Sequence, residues 1–372
     1  VSVGRRALIA ALAAHATQPR AQAQAEPRTL IFPRDHGAHP TFGIEWWYVT
    51  GWLRGHGARG DAPPPLGFQI TFFRSRTGLA RTLDSRFAAR QLLFAHAALS
   101  DVGARRLVHA ERLARWNEDA RATQAAATLD DTRVHIGPWH LARDAAGAYA
   151  ARVADDAAGI DLALTFTPTQ PLLLQGDGGF SRKGPLPNNA SHYYSQVQLE
   201  VRGDMTRGER ARGRSTRTAV SGRAWLDHEW SGSLMPEGAV GWDWIGINLD
   251  DGGALTAFRL RDARGSAAWS GGSFRSASGV ARIFADGEAT FDLLQTWTSP
   301  ATRATYGVRW RVRCPAGTFE VRALFDAQEL DGRGTTGTVY WEGLSALHRE
   351  GDGVRVGWGY LEMTGYAGAL RL

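Results

Sequence analysis

The chain has 372 residues, 43% hydrophobic and 22% charged, with a formal net charge of +6. That is long enough for two domains with proper cores and is an ordinary balance for a globular protein. The basic charge is almost all scattered arginine with no basic groove motif, which argues against nucleic acid, and the lone Cys314 excludes an internal disulfide or a cysteine metal cluster.

The first residues read as an export signal. Arg5-Arg6 form a charged region, Ala7 to Ala14 a short apolar core, and Ala23-Gln24-Ala25 a small-residue cleavage site. The mature protein is then expected to start near Glu26 and to be periplasmic or secreted. The paired arginines also fit the twin-arginine route loosely. The apolar run is too short to span a membrane as a helix.

From there the chain alternates in short β-like runs broken by Gly, Asp and Pro. They include Trp46 to Thr50, Gly67 to Phe73, Phe94 to Leu99, Val134 to Ile136, Leu162 to Phe166 and Tyr193 to Val201. Arg112 to Ala127 is alanine-rich and is the one place where a short helix is expected. Met205 to Thr218 is polar and arginine-rich, and reads as a connection or hairpin between two halves. Strands then resume at Gly222 to Trp230, Trp242 to Leu249, Leu255 to Leu260, Tyr306 to Val312, Phe319 to Phe325, Val339 to Glu342 and Val354 to Met363. Such spacing predicts an all-β chain of barrels or sandwiches, in two barrel-sized units. The boundaries expected are a signal at 1–25, a first domain at 26–204 and a second at 205–372.

The chemistry concentrates in Trp225-Leu226-Asp227-His228-Glu229-Trp230 and, further on, Gly241-Trp242-Asp243-Trp244. Carboxyls among indoles have two consequences. Apolar burial keeps an acid protonated, and tryptophan faces tolerate a cation. Strand alternation puts Asp227 and Glu229 on one face with Trp225, and His228 with Leu226 and Trp230 on the other. Trp242 and Trp244 share a face, with Asp243 opposite. The competing reading is structural, with the acids bracing the sheet against Arg223 or Arg259. Glu45-Trp46-Trp47-Tyr48 and Trp341-Glu342 repeat the pairing of acid and tryptophan, and such aromatics line a cavity or pack a core.

Taken in order, these motifs resemble the AttH family of secreted lipocalin-like proteins. The resemblance is carried by Phe32 to Pro40, Glu45 to Tyr48, Phe180 to Gly184, Ala190 to Ser195, Trp225 to Trp230, Gly241 to Trp244, Tyr340 to Gly343 and Gly359 to Tyr366. It implies two consecutive lipocalin-like β-barrel domains and a cavity for a long apolar molecule near their junction. The family includes the carotenoid 1,2-hydratases, or hydroxyneurosporene synthases, and proteins labelled secreted hydrolases. The hydratases' paired His and Trp match His228 and Trp230. Their paired Tyr and acid on a later strand fall at Phe258 and Leu260, which puts carotenoid hydration itself in doubt.

The expected site is therefore Asp227, His228, Glu229 and Trp230 for catalysis. Trp46, Trp47, Tyr48, Trp225, Trp242, Asp243, Trp244, Phe258 and Trp341 are expected to hold the substrate. The expected chemistry is cofactor-free, acid-catalysed hydration, or a related lyase or isomerase reaction, on an apolar isoprenoid or polyene. The rival is a lipid carrier, since the family's name links it to an ABC transport system and hence to transporter components as partners. A hydrolase comes third, because neither His96 with Asp101 nor Ser191 with His192 sits in a nucleophile elbow. No metal is expected; His36, His39 and Glu45 read as fixing a turn rather than as ligands.

Overall fold

A computed structural model describes residues 23–55, 64–78, 89–209 and 214–368. The signal-like segment 1–22 and residues 210–213 of the arginine-rich run lie outside the described residues, so neither expectation is met or refuted there. Among the described residues the chain is almost all strand, with one 3-10 turn at Arg34–His36 and no α-helix. The expected helix at Arg112 to Ala127 is not formed. Arg106–Trp116 is a strand, and Ala125–Ala127 pairs with Arg133–Ile136. Its mixed polar and apolar residues suit a half-buried edge strand, and that pairing outweighs alanine's helix propensity.

The strands form two antiparallel sheets. The first curls into a near-barrel, the second into a half-barrel, giving two lipocalin-like units. In the first, Ile44–Gly55 is central, flanked by Leu66–Arg76 and by Arg214–Ser231. Arg214–Ser231 pairs in turn with the long strand Ala190–Glu209. The expected boundary at 204/205 is therefore displaced: residues 214–231 complete the first sheet, and the second begins at Ala239. On either side of residues 210–213, Met205 to Glu209 pairs with Arg214 to Thr218 within one sheet.

Period-two alternation decides what each face does. Trp47, Val49, Ile70, Phe72, Ala95, Ala97 and Leu226 point into the first core. Ile245, Ile247, Leu255, Ala257, Leu361 and Met363 point into the second. Each of the valine, leucine, isoleucine, phenylalanine and methionine side chains among them contributes roughly 1.5–3 kcal/mol on burial. The remaining faces of the two sheets meet through Tyr48, Trp225, Trp244, Phe258, Leu344 and Tyr360. The two units thus join by their outer faces, and the residues between the core positions line the junction.

Close packing of strands shows at Gly222, where a Cβ would fall 1.8 Å from the Trp52 carbonyl oxygen. Gly222→Ala should cost about 1–3 kcal/mol by overpacking. A thermal melt checks it, and an unchanged Tm would show that the two strands can part without strain.

Candidate active site

Register places the site before any side chain is considered. Across the first sheet, Ser195 lies opposite Asp227, Asp227 opposite Tyr48, Tyr48 opposite Thr71, Thr71 opposite His96, and His96 opposite Glu111. Two residues along, Glu229 is flanked by Tyr193 and Trp46, and Trp46 by Phe73. In the second sheet Glu342 lies opposite Glu362, Glu362 opposite Trp244, and Trp244 opposite Phe258. These rows face each other across the junction. They enclose a cavity with about 970 Å³ of free space, its mouth included. Its surface is mostly apolar, supplied by Trp46, Phe73, Trp242, Trp244, Phe258 and Leu260.

Asp227 is buried in the cavity wall. Its Oδ2 accepts a hydrogen bond from Tyr193 Oη at 2.8 Å, and its Oδ1 accepts from Ser195 Oγ at 2.5 Å and the Trp225 indole at 2.7 Å. Burial raises its pKa from 3.8 to about 7 against those three donors, helped by the charge of Glu229. Tyr193 Oη also accepts from the Trp244 indole at 3.3 Å, tying the acid to the opposite sheet. Glu229 is committed differently: its Oε1 is 3.0 Å from Lys183 Nζ. Lys183, the only lysine in the sequence, lies over the rings of Tyr193 and Phe258, 4.8 and 4.3 Å from their centroids. A cation is thus already held against these aromatic faces.

A second acid centre faces them. Glu342 and Glu362 are cross-strand neighbours, Glu342 buried and Glu362 half-buried, and desolvation raises both above the usual carboxylate range, repulsion from Glu362 adding to it at Glu342. The charges of Asp227 and Glu229 raise Glu362 further, and the Trp242 side chain opposes the shift. Two adjacent, poorly hydrated carboxyls cannot both ionise cheaply, so the pair retains a proton at neutral pH. The Tyr48 and Gln69 side chains act on Glu342 against that burial, although neither contact has the geometry of a full hydrogen bond. Tyr48 and Gln69 line the cavity, so a polar group of a ligand would be received there.

The predicted residues therefore divide by face. Asp227, Glu229, Trp46, Tyr48, Trp242, Trp244 and Phe258 line the cavity. Trp225 sits beneath, donating to Asp227. His228, Trp230 and Trp47 do not reach it, because alternation turns them into the first barrel. Asp243 faces away and binds Arg259 and Tyr366 at 2.6 and 2.8 Å. Trp341 is packed in the second core, with its indole on the Asp326 carbonyl. Leu260 lines the wall where the resemblance placed an acid. The reading by sequence missed Glu362, Tyr193, Lys183, His96 and Tyr340 as cavity residues. Alternation counted along the strand from Asp227 reaches Lys183's partner Glu229, but Tyr193 sits opposite Glu229 on the neighbouring strand and only the register places it; nothing local reveals which strands oppose it.

His228 belongs instead to a buried polar network. Its Nε2 is 2.9 Å from Glu45 Oε1 and its Nδ1 3.0 Å from Tyr194 Oη. Burial lowers its pKa to about 4. Glu45 also meets His39 Nδ1 at 2.8 Å and Arg74 Nε at 2.8 Å, and His39 Nε2 meets Asp35 at 3.0 Å. Burial alone would raise Glu45, but Arg74 and His39 hold it well below the usual carboxylate range. Trp230 stacks on His39 with ring centroids 3.8 Å apart. Ligand-type atoms of His39, Glu45 and His228 lie within 4.8 Å of one another. Every one of them is already hydrogen-bonded, which suits a brace between the entering chain and the barrel better than a metal centre. The hydrolase pairs are not assembled either. Ser191 Oγ and His192 Nδ1 are buried without partners, and His96 bonds Tyr340 and Thr335.

Comparison with known proteins agrees with this architecture. The AttH-like family profile matches residues 23–366. A Nitrosomonas europaea protein assigned as an AttH shares 42% identity, with a TM-score of 0.81 over 92% of this chain and 99% of its own. Kievitone hydratase from Nectria haematococca superposes with a TM-score of 0.65 at 13% identity, over 94% of this chain and 99% of its own. CghA bound to Sch210972 gives 0.55 at 13% identity, covering 87% and 89%. These last two share the fold. No curated protein sequence matches the chain. The chain belongs to the AttH-like family.

Proposed function

We propose that this protein is a cofactor-free hydro-lyase or isomerase that protonates a carbon–carbon double bond of an apolar isoprenoid or polyene. The observation that carries this reading is Asp227, a buried carboxyl poised near pH 7 in an aromatic-walled cavity. An unactivated trisubstituted alkene needs a proton on carbon, a wall that tolerates the tertiary cation, and one positioned water. Asp227 supplies the first through its contact with Tyr193 or directly. Trp242, Trp244 and Phe258 supply the second. That kievitone hydratase shares the fold is consistent with such chemistry. We further propose that the protein works outside the cytoplasm, from the signal-like first residues.

Incubation with farnesol or squalene in heavy-oxygen water tests the reading. The expected product is a tertiary alcohol carrying the heavy oxygen, seen by mass spectrometry and absent without enzyme. If both probes are bound, by quenching of the cavity tryptophans, yet neither is converted, the carrier reading replaces this one. A specific observation favours that alternative: Phe258 and Leu260 make the wall apolar where the resemblance called for a tyrosine and an acid. Association with ABC transporter components would accompany it.

A further inference from the structure

At the end of the same cavity, away from Lys183, a chain of hydrogen bonds runs from its wall to the surface. Tyr340 and His96 both line the cavity. Tyr340 Oη is 2.7 Å from His96 Nδ1. His96 Nε2 is 3.1 Å from Thr335 Oγ1. Thr335 Oγ1 in turn donates to Glu111 Oε2. The other oxygen of Glu111 is 3.8 Å from His109 Nδ1, and the two side chains are 13% and 28% exposed, so this end of the chain meets solvent.

The chain is built from both sheets. His96 and Glu111 are cross-strand neighbours in the first. Thr335 and Tyr340 come from the loop and strand around Thr338–Arg349 in the second. The loop is fixed by three backbone N–H groups, of Thr335, Thr336 and Gly337, converging on the Gly332 carbonyl. Its direction is set by the anion at one end. Glu111 accepts from Thr335, so Thr335 accepts from His96 Nε2–H, which leaves Nδ1 to accept from Tyr340. Burial, followed by the charge of His109, lowers the His96 pKa to about 4, so the ring is neutral and able to accept at neutral pH. Gln69 Nε2 donates to Tyr340 Oη at 3.4 Å while Gln69 Oε1 is buried without a partner, an acceptor placed to hold a water beside the tyrosine.

We propose that Tyr340 and His96 form the basic end of the active site, and that Thr335 and Glu111 complete a relay carrying the proton of the attacking water to solvent. The proposal rests on the hydration reading and adds the half of the reaction which Asp227 cannot perform. Asp227 gives its proton to the alkene carbon, forming the C–H bond and the cation. The water oxygen forms the C–O bond. Its O–H bond breaks as Tyr340 Oη takes that proton and passes its own to His96 Nδ1. His96 Nε2–H passes to Thr335, whose hydroxyl proton goes to Glu111. Glu111 releases it to solvent, Asp227 regains one, and alkene plus water has become alcohol.

Two measurements test it. Nitrogen NMR of histidine-labelled protein, with His96→Asn as the assignment control, should show His96 neutral at pH 7 with its hydrogen on Nε2. A hydrogen on Nδ1, or a charged ring, overturns the relay. In farnesol hydration, Tyr340→Phe should lower kcat by about 10²-fold or more with KM little changed. Thr335→Val and Glu111→Gln should lower kcat less, and added imidazole should restore it, because a small buffer substitutes for a proton carrier and cannot repair a fold. Wild-type turnover that Thr335→Val and Glu111→Gln leave unchanged, or lower without rescue by imidazole, overturns the relay alone. No wild-type turnover overturns the relay and the hydration reading together.

Discussion

Asp227→Asn should abolish turnover of a farnesol or squalene probe, by a factor of about 10² to 10⁴, and leave its binding nearly intact. The amide keeps the shape of the carboxyl and can still accept from Ser195 and Trp225, which bond one oxygen. It has no proton to give. The same change should raise the Tm at pH 8. The folded pKa of Asp227 lies above its ordinary 3.8, at about 7. Between those values the folded state binds more protons than the unfolded one, so stability falls as pH rises through this window. Above it the penalty is constant, and asparagine escapes it. Glu362 and Glu342 act in the same sense, being raised as well. Gain of stability with loss of turnover is the mark of a functional acid. Loss of both would show that Asp227 braces the sheet. Trp244→Leu should instead weaken binding and turnover together, because its ring is part of the wall.

Much of this was legible in the alternation of the chain, and the failures are as informative. Asp227 and Glu229 were placed on one face and His228 on the other by period two alone, and the sheets keep that division. What a single strand cannot show is which face turns toward the barrel. His228 and Trp230 fill the core, while the acids look outward. Outward is normally solvent; here it is a second sheet. Glu362 comes from the far end of the chain and meets Trp244 only through the pairing of Ala239–Leu249 with Arg355–Met363. No local pattern encodes that pairing. The boundary near 204/205 failed for a related reason. A polar run with no apolar face reads as a linker, and a solvent-exposed strand pair has the same composition. Met205 to Glu209 pairs with Arg214 to Thr218 there.

The buried network around Glu45 should be the most sensitive stability determinant of the first barrel. Glu45 and Arg74 are both fully buried and bonded at 2.8 Å, and Arg74 also donates to the His39 and Phe42 carbonyls and to Gln91. Arg74→Met removes four hydrogen-bond partners and leaves an anion unmatched in the interior. A cost of about 3–5 kcal/mol is expected, large enough to compromise folding. Glu45→Gln is milder and tests the charge. Since the folded pKa of Glu45 is depressed, its contribution is complete above its ordinary 4.5 and lost as pH falls toward the folded value. His228 and His36, lowered to about 4 and 3 mainly by burial, lose stability in the same direction as they are forced to charge below about 6.5. Acid therefore attacks this network from both sides, and denaturant midpoints should fall steeply below pH 6. In Glu45→Gln the midpoint should start lower at pH 7 and fall less steeply only below about pH 4.5, where the Glu45 carboxylate takes up its proton. Parallel pH curves for wild type and variant would mean that the carboxylate charge is not what holds the entering chain to the barrel.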